Sequence, residues 1–419
     1  MRKILVFTIL IISVIDLKSQ DNIDLPYDFE KKAFEHIERL SGFGIRSAGT
    51  DAELKTIEYL INEFQSIGLT TKIDTFQFKC FLLNEKIIKS GNEKFSYDKI
   101  IFNPYVGIEE IQGKLHCFHP DSSYDKLPEL NDKIILTTKP SNIWKLTDKK
   151  PKAIVFTNQA DFENQLYHDN KIASINVSGH VKEYKTYNIV ASTNDQIDKE
   201  IVVSAHWDSY RGPGANDNAS GIGVMVEIAR FIKNYDKNYP VNFQFVAFGG
   251  EELGMIGSKA FIENYQQELM DCIFNFNIDN VGGTVGPFIA LKGKQNIDKS
   301  DNVSFDLIAR TDFNENWIAS GHEFHLSIPT VIPDWLNEDI VRVADSLGIE
   351  ITPVGDMGSD HRIFAYIGIP STNMCIVDEK VEERYHSPND LPQHIDKSSL
   401  RKAGLIITNT ILTTMRNQE

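Results

Sequence analysis

From Tyr187 onward the chain repeats one phrase, a short apolar run followed by a turn that carries a histidine or a carboxylate. The run Glu200 to Ser204 leads to His206, Val241 to Phe248 leads to Glu251 and Glu252, and Ile273 to Ile278 leads to Asp279. Thr372 to Val377 is a fourth run, with His386 in the loop after it. Between them lies a helical pattern from about Ser220 to Asn234, with Val224, Ile228 and Ile232 on one stripe, and a last helix is expected over Lys397 to Met415. Strands that alternate with helices build a largely parallel sheet. In such sheets ligands bind beyond the carboxyl ends of the strands. The expected fold class is therefore α/β, a mixed, mostly parallel sheet flanked by helices, with its polar turns gathered at one edge.

The remainder of the chain reads differently. Residues from about Asp28 to Gly68 look helical, with Phe34, Ile37 and Leu40, then Leu54, Ile57, Leu60, Ile61 and Phe64, at helical spacing. Thr71 to Phe78 alternates like a strand. From about Phe81 to Tyr184 short strand-like runs, Lys133 to Thr138 and Ala153 to Thr157, are separated by turns rich in Pro, Asn, Asp and Lys. These textures divide the chain into an N-terminal leader over 1–19, a main domain over 20–80 and 185–419, and a small β-rich inserted domain over 81–184.

The turn residues form a coherent chemical set. His206, Asp217, Glu252, Asp279 and His386 are two imidazoles and three carboxylates, suited to a pair of Zn²⁺ ions sharing one carboxylate. Asp208, two residues beyond His206, is a candidate to accept the other ring N–H of a ligating imidazole. Glu251 is a spare carboxylate beside Glu252, of the kind that serves as base to an attacking water, so the set points to metal-assisted hydrolysis. Each residue also has a plainer reading. Asp217 opens a helix and could be its N-cap, and Glu251 with Glu252 could be an acidic first helical turn. Tyr385 could hydrogen-bond a substrate oxygen or simply fill the core. Ser359-Asp360-His361 is a polar cluster that could line the pocket, and it is not expected to supply a primary ligand.

Other features exclude functions. The chain of 419 residues has 41% hydrophobic content and a formal net charge of −16, with no basic run to offset it. Such a balance disfavours nucleic-acid binding. Arg2 and Lys3 precede an apolar run from Ile4 to Ile15 that is short for a bilayer span. It reads as a secretory signal with Ser19 as the best small residue for cleavage; an uncleaved anchor is the rival. Export to the periplasm or the medium, without stable membrane association, is the expectation. The four cysteines, Cys80, Cys117, Cys272 and Cys375, lack metal-cluster spacing, and no pairing follows from the sequence. His322-Glu-Phe-His325 lacks one residue of the spacing that a helical zinc motif needs. His116-Cys-Phe-His119 has no partner cluster nearby in the sequence. The sequons at Asn176, Asn218 and Asn302 are taken as chance, since a sugar on Asn218 would obstruct Asp217.

With these phrases in view (Ser-Ala-His206-Trp-Asp208, Gly-Ala-Asn-Asp217-Asn-Ala-Ser-Gly, Gly-Gly-Glu251-Glu252-Leu-Gly, Asn-Ile-Asp279-Asn-Val-Gly-Gly and Arg-Tyr385-His386-Ser-Pro), the chain resembles the M28 family of zinc peptidases, of the aminopeptidase Y and bacterial leucine aminopeptidase type. The resemblance covers about Phe34 to Phe78 and Tyr187 to Thr413. It implies that His206 and Asp279 bind one zinc, Glu252 and His386 the other, that Asp217 bridges, and that Glu251 is the general base. It also implies a cis peptide between Asp217 and Asn218, peptide substrates, and hydrolysis at the N-terminal bond. Carboxypeptidase and dipeptidase activities share such a site and stay open. So do a glutaminyl cyclase on a related one-zinc fold and a non-catalytic relative like the transferrin receptor. The insertion resembles a shortened protease-associated domain in Asn131 to Leu136 and Lys150 to Val155.

Overall fold

The computed structural model describes residues 22–90, 93–94, 99–102, 110–119, 122, 130–138, 146, 149, 151–166, 169–235, 240–284, 288–291, 304–305, 307, 333–354, 358–376 and 380–417. The leader and the His322–His325 segment lie outside them. Its strands are β1 (Thr70–Ser90), β2 (Glu93–Lys94), β3 (Lys99–Phe102), β4 (Glu110–Cys117), β5 (Lys133–Thr137), β6 (Ala153–Phe156), β7 (Ile172–Ser192), β8 (Glu200–His206), β9 (Asn242–Phe248), β10 (Cys272–Ile278), β11 (Phe288–Leu291), β12 (Ile351–Val354) and β13 (Ser371–Ile376). The main helices are α1 (Phe29–Ser41), α2 (Asp51–Ile67), α3 (Gln159–Gln165), α4 (Gly221–Asn234), α5 (Ile256–Tyr265), α6 (Asp334–Leu347), α7 (His361–Tyr366), α8 (Val381–Arg384) and α9 (Lys397–Asn417).

One sheet runs through the molecule in the order β12-β11-β13-β10-β8-β9-β7-β4-β5-β6-β3, with β1 along β7. Its centre, β13-β10-β8-β9, is parallel. Alternate residues of these strands face opposite layers. Ile201, Val203 and Ala205 of β8 join a core packed under α1, α2, α4 and α9. Val202 joins Val246 and Phe248 in a second core beneath α5 and α7. Burial on both faces is why these strands read as near-continuous apolar runs.

The structure departs from the sequence reading in two places. The strand expected over Thr71 to Phe78 is a 21-residue β1, paired antiparallel with all of β7, from Thr70 opposite Ser192 to Ser90 opposite Ala173. The polar residues along it, such as Lys72, Gln77 and Lys79, face solvent and hid its length. The helical stretch from Asp28 to Gly68 is two helices broken by a loop over 42–50. Thr50 caps α2 by accepting from the Glu53 N–H, and the Glu53 carboxylate accepts from the Gly49 N–H at 2.6 Å. This reciprocal pattern fixes where the second helix starts. Ile111, Leu115, Ile134, Leu136, Val155, Phe162 and Ile175 make a separate core between β4 and β7. Among the described residues no helix is long and apolar enough to cross a membrane.

Candidate metal centre

The parallel strands deliver their polar turns to one edge. His206 ends β8, Glu251 and Glu252 follow β9, Asp279 follows β10, and His386 lies in the loop between α8 and α9. Asp217 sits in the turn Ala215–Ser220 that leads into α4. His206, Asp208, Asp217 and Asp279 are all buried. The His206 Nε2 atom lies 3.3 Å from Asp217 Oδ1 and 3.4 Å from Asp279 Oδ1. The His386 Nε2 atom lies 3.2 Å from Asp217 Oδ2 and 2.9 Å from Glu252 Oε2. Asp217 thus turns one oxygen to each imidazole, with a further carboxylate on each side. One ligand atom from each of His206, Asp217 and Glu252 lies within 4.8 Å of the others.

The surrounding loops are held by polar atoms aimed at backbone. Asp208 stands beside His206, whose Nδ1 is 3.2 Å from the Asp208 carbonyl oxygen and 3.4 Å from its Oδ1. Its carboxylate also accepts the N–H groups of Glu251, at 3.1 Å, and Glu252, at 3.2 Å. Asp208 therefore fixes the turn that carries both glutamates. Asp390 does the same for Asp217, accepting the Asn216 N–H at 2.8 Å and the Asp217 N–H at 2.9 Å. Asn218 is fully buried; it donates to the Ile278 carbonyl and accepts from the N–H groups of Gly221 and Asn280. It ties the Asp217 turn to the end of β10 and is no acceptor for a sugar. A Cβ on Gly221 would stand 2.3 Å from the Ile278 oxygen, so only glycine permits this approach.

The backbone around the centre is unusual. The Asp217–Asn218 peptide is cis, and Arg211, Met255, Asn280 and His386 all have positive φ. Non-glycine residues there are uncommon and gather at functional sites.

Beneath the centre, β8, β10 and β13 are pinned by side chains. Ser204 donates to Asn277, and Asn275 donates to Ser204. Asn277 donates to Asn373 and Ser359, and Ser371 donates to Asn275. All six are fully buried.

Charge is crowded here. Burial pulls the His206 imidazole down, but Asp279, Asp208 and Asp217 outweigh it and hold it well above its ordinary pKa. Burial likewise opposes the charge on His386, yet Glu252 and Asp217 carry it up to about 10. Burial raises Asp217, and the two imidazoles bring it below the usual carboxylate range. Burial and Asp217 push Glu252 up to about 7 against the pull of His386. Burial raises Glu251 most, His206 opposes, and Asp360, Glu252 and Asp279 add to the rise. The buried Glu252 Oε1 has no hydrogen-bond donor. Clustered carboxylates with unspent lone pairs, faced by two imidazoles, fit a divalent cation of the zinc type.

The other sequence candidates fall as follows. Tyr385 is half exposed and its ring stacks on His386 at 3.8 Å between centroids, and Tyr210 meets the same imidazole edge-on at 5.1 Å. Asp360 is buried and accepts the Ser258 hydroxyl at 2.6 Å. His116 lies 3.6 Å from Asp169, and no three-residue metal cluster forms there among the described residues. All four cysteines are thiols rather than disulfides. Asp390 was not singled out from the sequence; it lies four residues after His386 in a polar loop that offered no periodic signal.

The fold and centre define an α/β protein whose carboxylates and imidazoles converge at the carboxyl edge of a parallel sheet. The sequence model of Peptidase family M28 matches residues 188–315 and 302–411, more than half of the chain, and the chain belongs to that family. Aminopeptidase YwaD of Bacillus subtilis (strain 168) is 31% identical over 226 residues, which cover 52% of this chain and 42% of that protein. The match thus spans less than half the length of that relative. Among solved structures, the aminopeptidase from Aneurinibacillus sp. strain AM-1 superposes with a TM-score of 0.64 at 22% identity, covering 92% of this chain and 93% of that one. A Porphyromonas gingivalis glutaminyl cyclase superposes with a TM-score of 0.53 at 16% identity, covering 93% and 98%. These two likenesses are of fold.

Proposed function

We propose that this chain is an exported zinc exopeptidase that hydrolyses the N-terminal bond of peptides. The observation that carries the reading is the placement of Asp217, one oxygen toward His206 and Asp279 and the other toward His386 and Glu252. In this reading His206 and Asp279 would hold one zinc ion, His386 and Glu252 a second, and Asp217 would be shared between them. Bound zinc would polarise the scissile carbonyl and acidify a water.

The chain's own residues supply the rest. Glu251 takes the proton of the attacking water and passes it to the leaving amine. Its burial suits both steps, since a carboxyl held above its ordinary pKa takes up a proton more readily. Asp208 orients His206 and keeps Glu251 in place through its backbone N–H. Asp390 keeps Asp217 between the two imidazoles. Tyr385, half exposed beside His386, is the group positioned to meet a substrate oxygen. The peptidase part comprises 20–80 and 185–419. The segment 81–184, with its own core, is an insertion of protease-associated type that shapes access to the site.

The test pairs metal analysis with mass spectrometry of a mixed peptide pool, including acetylated N-termini. Two zinc ions per chain and stepwise loss from free N-termini alone are expected. Trimming from C-termini would replace this reading with a carboxypeptidase, and loss of ammonia from N-terminal Gln with the cyclase chemistry. Glu251→Gln should retain both metals and lose turnover; a variant that still hydrolyses peptides removes the base from Glu251.

A further inference from the structure

The loop that joins β8 to the Asp217 turn runs through Gly212, Pro213 and Gly214 and has no regular backbone pairing. Its carbonyl groups are instead gathered by one side chain from far away in sequence. Arg46 is fully buried in the loop between α1 and α2. Its Nε donates to the Trp207 oxygen at 2.7 Å, its Nη1 to the Pro213 oxygen, and its Nη2 to the Gly214 oxygen at 3.0 Å. The backbones are joined as well. The Arg46 N–H donates to the Ser209 hydroxyl at 3.1 Å, and the Ser209 N–H donates to the Arg46 oxygen at 3.0 Å.

Burying a guanidinium costs several kcal/mol unless its donors are met. Here each of the three guanidinium nitrogens donates to a carbonyl, and Asp208, Asp390, Asp217 and Glu252 supply opposing charge. Burial brings the side chain down to about 10, so it stays a cation at neutral pH. The arrangement is complementary to that of Asp390. The cation grips the carbonyls of Trp207, Pro213 and Gly214, and the anion grips the N–H groups of Asn216 and Asp217. Together these grips span the chain from just after His206 to Asp217. The gap is tight, because a Cβ on Gly214 would stand 2.4 Å from the Ser209 Cβ and 3.0 Å from Arg46 Nη2.

We infer that Arg46, which lies outside the stretch matched by the family model, is a positioning residue that sets the separation of His206 and Asp217 and thereby the zinc affinity of the site. The inference rests on the zinc reading above. It opposes another role for the same residue, that of a counter-charge to the carboxylates. The two roles differ in sign. A cation among ligands repels Zn²⁺, so removing a mere counter-charge tightens metal binding; removing a brace loosens it. Lysine keeps the charge but cannot reproduce a planar fork.

The experiment is a competition titration of zinc against a chelator with the mature protein, for wild type, Arg46→Met and Arg46→Lys, with the d–d spectrum of the cobalt-loaded forms as a second readout. Both variants are expected to bind zinc about ten- to one-hundred-fold more weakly than wild type, with a changed cobalt spectrum and native circular dichroism. Unchanged or tighter binding by Arg46→Met, or recovery by Arg46→Lys, overturns the inference. Should the Arg46 variants not fold, Ser209→Ala removes the hydroxyl that accepts from Arg46; it should weaken zinc severalfold, and unchanged affinity overturns the inference. The wild-type titration separates the two proposals. A wild type that binds no zinc sinks both, whereas a zinc-loaded, peptide-trimming wild type with indifferent variants sinks this one alone.

Discussion

Glu200 opens β8 at the edge of the sheet away from the metal centre and is 3% exposed. Its Oε2 accepts from the Gln244 side-chain amide on β9, and its Oε1 has no partner. Burial, with Glu268 and Asp271 adding to it, pushes the carboxyl from 4.5 up to about 8. The folded protein therefore keeps Glu200 neutral through a range in which the unfolded chain ionises it. Unfolding is favoured by up to about 1.4 kcal/mol for each pH unit between those two values. The cost is absent below pH 4.5 and fully developed above about pH 8. Its ceiling is about 5 kcal/mol, reduced to the extent that local opening lets the carboxylate reach water. Glu200→Gln is neutral at every pH and can keep the contact with Gln244. The variant should match wild type near pH 4.5, exceed it by about 3 kcal/mol at pH 7, and level off above pH 8. Urea midpoints for both proteins across this range, at equal zinc loading, give the difference directly, because groups common to both cancel. Two stability curves that stay parallel from pH 5 to 9 would refute the reasoning.

Other outcomes follow from single contacts. His361 is fully buried with neither ring nitrogen hydrogen-bonded, and burial, with Arg362, brings it down to about 3. It is neutral in the fold, so its contribution is complete above its ordinary 6.5 and is lost as pH falls toward 3. His361→Leu should flatten that acid limb in melting curves between pH 7 and 4. Asp390→Ala strands two backbone N–H groups, which should cost about 2–5 kcal/mol in urea unfolding and release zinc on dialysis; Asp390→Asn should be milder. Removing metal with a chelator should lower the melting temperature of wild type, and restoring zinc should recover it.

The strands that carry the site were legible because burial on both faces leaves unbroken apolar runs, as in Ile201 to Val203, and because the turn after each run held a residue of unmistakable chemistry. The long β1–β7 ribbon was not, since Lys, Gln and Glu along it face water and blur the alternation. Arg46 and Asp390 were illegible for a different reason. Their partners are backbone groups of another segment, and nothing in a local pattern reports which carbonyl or N–H a side chain will meet in space. The break between the two helices, which holds glycines at 42, 44 and 49 and was not read from the sequence, is where Arg46 enters.

The buried Ser and Asn residues beneath the centre carry a consequence for how such chains vary. Central strands of a parallel sheet ordinarily tolerate exchange among Val, Ile and Leu with little penalty. Ser204, Asn275, Asn277, Ser371 and Asn373 have no such freedom, because each satisfies the next across three strands. Loss of one leaves its neighbour unpaired in the interior, at about 1–3 kcal/mol, whereas joint replacement by apolar residues of matching size can be nearly neutral. These positions should drift through descendants of this sequence as a block, preserved together or surrendered together, and a chimera that mixes strands from two lineages should fail at this seam before it fails anywhere in the oily layers above and below.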